Sequence, residues 1–193
     1  MENNIEEEMQ DVRPLTNITT GCLILSLWSI LFGLNGPEGF ISLIPWMFAG
    51  YPIIIFCVIR CFRQGALIDG TVTAVLTGLS LCQLGLKGCL FLVLHCLGKE
   101  LPADTVLASG YIDGMEDLCC TVLLAFALIL ACKGKKVLES VFLTVIVLGF
   151  FFNALHAFGI SACALPAGIC IEAFGAWMLL SGCRGLMKAV LQK

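Results

Sequence analysis

The chain has 193 residues, of which 59% are hydrophobic and only 13% are charged. A water-soluble domain averages about 25% charged residues, so this chain has too little charge to cover an aqueous exterior, and lipid must solvate much of its surface. The net charge of -3 says little about partners, because Glu2, Glu6, Glu7, Glu8 and Asp11 cluster at one end, and no basic stripe points to nucleic acid.

Residues 1–13 read as an acidic tail, with no basic start of the kind a cleavable signal needs. Residues 14–187 then hold six apolar stretches, each near the roughly 20 residues that a spanning helix requires. They are Leu15–Leu34, Phe40–Ile59, Gly70–Leu94, Tyr111–Ala131, Val137–Phe158 and Ser161–Cys183. Residues 188–193 form a short tail. The fold expected is an all-α membrane protein of six transmembrane helices, with neighbours paired as antiparallel hairpins.

One set of connections carries Arg13, Arg60, Arg63, Lys133, Lys135, Lys136, Arg184, Lys188 and Lys193, whereas the other carries only Lys99. This asymmetry predicts that the first set, with both termini, is cytoplasmic in a multi-pass protein of the plasma membrane. Twelve cysteines are spread mostly through the apolar runs, where they serve as small soft hydrophobes. Cys57 and Cys61 lie one turn apart, with no His nearby in sequence, so packing is expected there and no metal or cofactor is implied.

In segment 2, Pro45 and Pro52, and in segment 6, Pro166, are expected to kink or interrupt their helices. Segment 3 opens with Asp69, read as its N-cap. It carries a small-residue face, Thr71, Ala74, Gly78, Cys82, Gly85 and Cys89, suited to close helix contact or oligomer formation. It also carries a polar stripe, Thr73, Thr77, Ser80, Gln83 and Lys87. Segment 5 places Val145, Gly149, Asn153 and His156 on one face, and segment 1 places Thr19, Cys22, Ser26 and Ser29. Several mildly polar faces suit a narrow solvated path, although any single hydroxyl more often bonds the carbonyl four residues back.

Counting depth at about 1.5 Å per residue puts Thr77 and Val145 near the midplane. Lys87 and His156 lie at the outer level, together with Asp113, Glu116 and Asp117 at the start of segment 4. Lys87 can snorkel outward or pair with one of those acids. Glu172 is the deepest ionisable residue, and is either a proton carrier or substrate contact, or a protonated acid bonded to a neighbouring helix.

Lys133-Gly134, Val137-Leu138, Val141-Phe142 and Ala167-Gly168 fall at a spacing that resembles the acetate uptake transporter family. Phe48-Ala49-Gly50 and the run from Arg63-Gln64-Gly65 to Gly70-Thr71 resemble its entrances to helices 2 and 3. The resemblance implies a hexamer of six-helix protomers, each with its own path for a small monocarboxylate such as acetate. It places the constriction at Thr20, Thr77 (or Leu76) and Val145, from helices 1, 3 and 5.

Departures from the family pattern are clear. Two constriction aromatics become Thr20 and Thr77 (or Leu76), the helix 2 glutamine becomes Ile53, and a helix 5 asparagine becomes His156. The family's signature before helix 1 keeps only Pro14 and Leu15. Asp113, Glu116 and Asp117 replace neutral residues, an unfavourable mouth for an anion.

The expected function is transport of a small solute, with Gln83, Lys87, Asn153, His156, Asp113, Glu116 and Asp117 along the path or its vestibule. The alternative is a channel for a small neutral solute such as urea or an amide, or a membrane protein without flux. An enzyme is not expected, because the two histidines form no H-E-x-x-H and there is no G-x-S-x-G.

Overall fold

The computed structural model describes residues 11–27, 32 and 40–191. These are helical throughout apart from short turns, with no strand among the described residues. In chain order, α1 is Arg13–Leu25, α2 is Phe40–Arg63 and α3 is Leu67–Cys96. They are followed by α4 (Ala103–Lys133), α5 (Val137–Ala157) and α6 (Ala164–Leu191), the last preceded by a 3-10 turn at Ser161–Cys163.

Five helices, α2 to α6, are long and apolar enough to cross a membrane. In α1 the described helix ends at Leu25, and residues 28–31 and 33–39, with Ser29 and the rest of the expected first span, lie outside the described residues. So do residues 1–10 of the acidic tail and Lys193. Large apolar side chains face outward on every long helix, among them Ile55, Phe56, Phe126, Ile129, Leu148 and Ile169. A soluble exterior would not carry them in such number, whereas lipid solvates them without cost.

Several boundaries differ from those read in the sequence. At about 1.5 Å per residue α4 is about 46 Å long, so its first turns, from Ala103, extend beyond an apolar core of about 30 Å. α6 continues to Leu191 through most of the expected C-terminal tail. Pro45 and Pro52 are interior to α2, which continues past both without interruption. Their side chains face outward, and they remove only the hydrogen bonds to the carbonyls of Ile41 and Phe48. Pro166 lies in the first turn of α6, where its missing N–H has no carbonyl to meet, and so causes no break.

The turns are short because glycine closes them. Gly65 has φ +71°, and Ala66 N–H reaches back to the Cys61 carbonyl at 2.9 Å. Gly159 has φ +100°, with Ile160 N–H on the Leu155 carbonyl at 3.0 Å. Both are left-handed helix ends that a side chain would strain. Beside α1, Asp11 takes the Arg13 guanidinium at 2.7 Å, which holds its carboxyl below the usual range.

α1 packs closely along α6. A Cβ on Gly21 would stand 2.6 Å from the Leu179 nitrogen, and one on Gly182 would stand 2.7 Å from the Pro14 carbonyl oxygen. Gly175 similarly admits Ile24. These glycines, not the small-residue face of α3, let two backbones touch. On α3, Gly78 and Cys82 are exposed instead. Gly182→Ala should lower stability by about 1 kcal/mol or more, because two of the three nearest atoms, the Pro14 carbonyl oxygen and the Ile18 nitrogen, are backbone and cannot rotate away. Thermal unfolding in detergent measures this, and a Tm equal to wild type would show that the two helices can separate freely.

One buried apolar cluster joins α3, α4, α5 and α6 to Ile24 of α1, and a second joins α1 to α2 around Met47, Tyr51 and Ile54. All twelve cysteines are free thiols. Cys57 and Cys61 are fully buried, and the Cys61 thiol lies 3.6 Å from Thr16 Oγ1.

Candidate solute-binding site in the helix bundle

A cavity of about 90 Å³ lies between α1, α3, α5 and α6. Its walls are mostly Leu and Ile, with Phe150 from α5, and its polar groups are Thr20, Ser80, Gln83 and Asn153. The Thr20 hydroxyl is buried and has no partner among the described residues. Ser80 Oγ donates to the Leu76 carbonyl at 2.7 Å. Among the cavity's lining residues there is no charged side chain.

Gln83 owes its position to a change of helix type. Residues Ser80–Leu86 of α3 form a π-helical stretch between two α-helical ones. Such widened turns add a residue and rotate the remainder of the helix, and they recur at functional sites. From this turn, Gln83 Nε2 donates to the Asp113 carbonyl and to Glu116 Oε2, both at 3.3 Å. One turn further on, Lys87 forms an ion pair with Asp113 Oδ2 and lies 5.9 Å from the centre of the Phe91 ring.

Asp117 forms the floor of this polar group. It is wholly buried, and its Oδ2 accepts the Asn153 side-chain amide at 2.8 Å, whereas Oδ1 has no partner among the described residues. Asn153 therefore lines the cavity on one side and holds Asp117 on the other. A buried carboxylate needs such donors, because burying an unpaired one is costly.

Towards the basic end of the bundle, the same four helices enclose a second space of about 20 Å³. It is lined by Asn17, Asp69 and Glu139 together with Leu143, Phe174 and Trp177. One water needs roughly 10–15 Å³. Between the two spaces stand Phe174 and Ile146, both fully buried, with Leu143, Leu76 and Ile24 around them, all in one cluster. The arrangement is two small chambers on one line, separated by an apolar layer.

The residues expected at the constriction divide between the wall of the larger chamber and positions outside it. Thr20 does line the larger chamber, and so does Leu76, the alternative to Thr77. Thr77 instead turns its hydroxyl onto the Thr73 carbonyl at 2.6 Å. Val145 is half-buried and lines neither chamber, and Ile146 beside it takes part in the seal. Depth counting fixes a level but not which of two adjacent residues faces inward, since neighbours on a helix point about 100° apart.

Of the expected vestibule residues, Gln83, Lys87, Asp113, Glu116, Asp117 and Asn153 do come together. His156 does not join them by any hydrogen bond or ion pair described, and its side chain is exposed. Glu172 lines neither chamber. It falls in the row of Gly168, Gly175 and Gly182, the face of α6 that packs on α1, with Oε1 buried and unpartnered.

Asp69 is not the N-cap of α3. The helix starts at Leu67 after Ala66, with no side-chain cap. Asp69 is thereby freed to line the smaller chamber, a role with no signal in the sequence, as is that of Phe174. Comparison with known proteins identifies no relative: no family model, no curated protein and no solved structure matches the chain.

Proposed function

We propose that the chain carries a small polar solute across a membrane through the line of chambers within each protomer, with the basic end in the cytoplasm. The observation that carries this reading is the cavity of about 90 Å³ at mid-bundle, apolar in its walls but furnished with two hydroxyls and two carboxamides. That volume suits a solute of a few heavy atoms, and hydroxyls with carboxamides replace the hydrogen bonds that the solute gives up on leaving water.

The chemistry of the lining selects for neutral species. A carboxylate anion would enter a chamber whose lining has no cation, after passing Glu116, and would remain uncompensated. A monocarboxylate such as acetate therefore crosses as the acid, and urea or a simple amide crosses as it stands. Lys87 neutralises Asp113 at the mouth and is not spent on the solute. The same reading places six protomers together, as the family resemblance implies, each with its own path.

The test is Ser80→Leu in full-length protein reconstituted in liposomes. Ser80 Oγ donates to the Leu76 and Thr77 carbonyls of its own helix and lies beside the Tyr51 hydroxyl of α2, so Ser80→Ala, which removes the hydroxyl without filling the chamber, is the control and should keep wild-type flux. In Ser80→Leu, urea flux should fall at least about tenfold, the ratio for about 1.4 kcal/mol added to the barrier. Flux equal to wild type in Ser80→Leu would place the solute elsewhere.

A further inference from the structure

A second feature lies on the outside of the bundle, and of its lining only Trp177 also borders a chamber, the smaller one. Between α5 and α6, at the basic end, runs an open groove of about 600 Å³. Its lower walls are Leu138, Phe142, Ala173, Ala176, Trp177 and Leu180. The rings of Phe142 and Trp177 stack at 4.8 Å with only 11° between their planes, which makes a flat apolar floor. Ala173 and Ala176 keep that floor open, where larger residues would fill it.

Above the floor the groove changes character. Ser181, Arg184, Gly185 and Lys188 line its end. Arg184 and Lys188 are one helical turn apart on one face of α6, both are exposed, and neither has an ion-pair partner among the described residues. Two other cations at this end are engaged, Arg13 with Asp11 and Lys136 with Glu139.

We propose that this groove holds one anionic phospholipid of the adjacent leaflet, its headgroup phosphate between Arg184 and Lys188 and an acyl chain along Phe142 and Trp177. The two halves match the two halves of such a lipid. A planar guanidinium forks onto phosphate oxygens, and the ammonium adds a second charge. Basic pockets between helices at a membrane surface bind anionic headgroups in this way. A soluble anion would use only the charged end and leave the apolar floor bare. The inference rests on membrane insertion and not on the transport reading, so either can fail alone.

The experiment is native mass spectrometry of the full-length protein released from micelles containing equal amounts of phosphatidylglycerol and phosphatidylcholine. The wild type should retain one phosphatidylglycerol in preference to phosphatidylcholine. Arg184→Gln with Lys188→Gln should reduce that preference by about fivefold per cation removed. Arg63→Gln with Lys133→Gln, which removes the same charge at the same end but outside the groove, should leave it unchanged. Ala176→Trp, which fills the floor and keeps both cations, should also reduce retention.

Equal loss in both double variants would reduce the effect to general surface charge and overturn the proposal. Equal retention of the two lipids would also overturn it. So would a species of two chains without lipid in which Ala176→Trp abolishes pairing, since the groove would then be covered by a second copy.

Discussion

Phe174→Ala is expected to open a leak. Phe174 is fully buried between the two chambers and shares its cluster with Ile146, Leu143 and Leu76. Phe174 lines the smaller space of about 20 Å³ and packs in one cluster with Ile24, Leu76 and Phe150 from the wall of the larger one of about 90 Å³, so removing the ring should open a way between them. Stability should fall by about 3–5 kcal/mol, the usual cost of an emptied aromatic site, and urea flux through folded protein should rise. The two effects run in opposite directions, which separates gating from damage. Phe174→Leu keeps most of the plug, and should sit between wild type and Ala in both measurements. A loss of stability without any rise in flux would show that the layer is core packing alone.

Asp117→Leu should cost about 1.5–3 kcal/mol and also remove flux. The carboxyl is wholly buried, and its Oδ2 is the acceptor for the Asn153 amide that lines the larger chamber. Leu leaves that amide buried without its partner, and a stranded buried donor costs its desolvation penalty. It also frees Asn153 to swing into the chamber. Asp117→Asn keeps an acceptor at nearly the same place and should retain both fold and flux. Thermal unfolding and urea flux of the two variants check this. Equal behaviour of Leu and Asn would mean that the Asn153 contact positions nothing.

These two residues show how far the sequence could be read. Asp117 was legible, because three acids at one end of an apolar run and a lysine one helix away at the same depth can hardly avoid each other. The ion pair of Lys87 with Asp113 agrees with that depth arithmetic. Phe174 was not legible, since a Phe in an apolar helix looks the same whether it faces lipid or a neighbour. The difference between Val145 and Ile146, or Thr77 and Leu76, turns on helix rotation, which depends on packing partners far off in the chain. The π-helical turn at Ser80–Leu86 adds to this, because an extra residue per turn breaks the 3.6 period by which faces are assigned.

Glycines behave similarly. Stripes of small residues occur on several helices, and only contact reveals that Gly21 and Gly182 meet a backbone whereas Gly78 meets nothing. Glu172 was notable as the deepest acid in the sequence, but depth alone does not say which side it faces. Its spacing from Gly168 and Gly175 directs it to the seam with α1. Many hydroxyls followed the plainer expectation: Thr16, Thr19, Thr77, Ser80, Thr121, Ser140 and Thr144 all bond carbonyls four residues back.

The central claim is most directly tested by flux through the unmodified chain. Full-length protein in liposomes is compared with protein-free liposomes for uptake of labelled urea and labelled acetate. Urea is the cleaner probe, because acetic acid crosses lipid unaided. The account predicts urea uptake well above the protein-free rate. It predicts an acetate excess over that rate which grows from about pH 7 to about pH 5, as more of the carboxylic acid becomes protonated. Uptake of both solutes at the protein-free rate would contradict it, and an acetate excess greatest at the higher pH would contradict passage as the neutral acid.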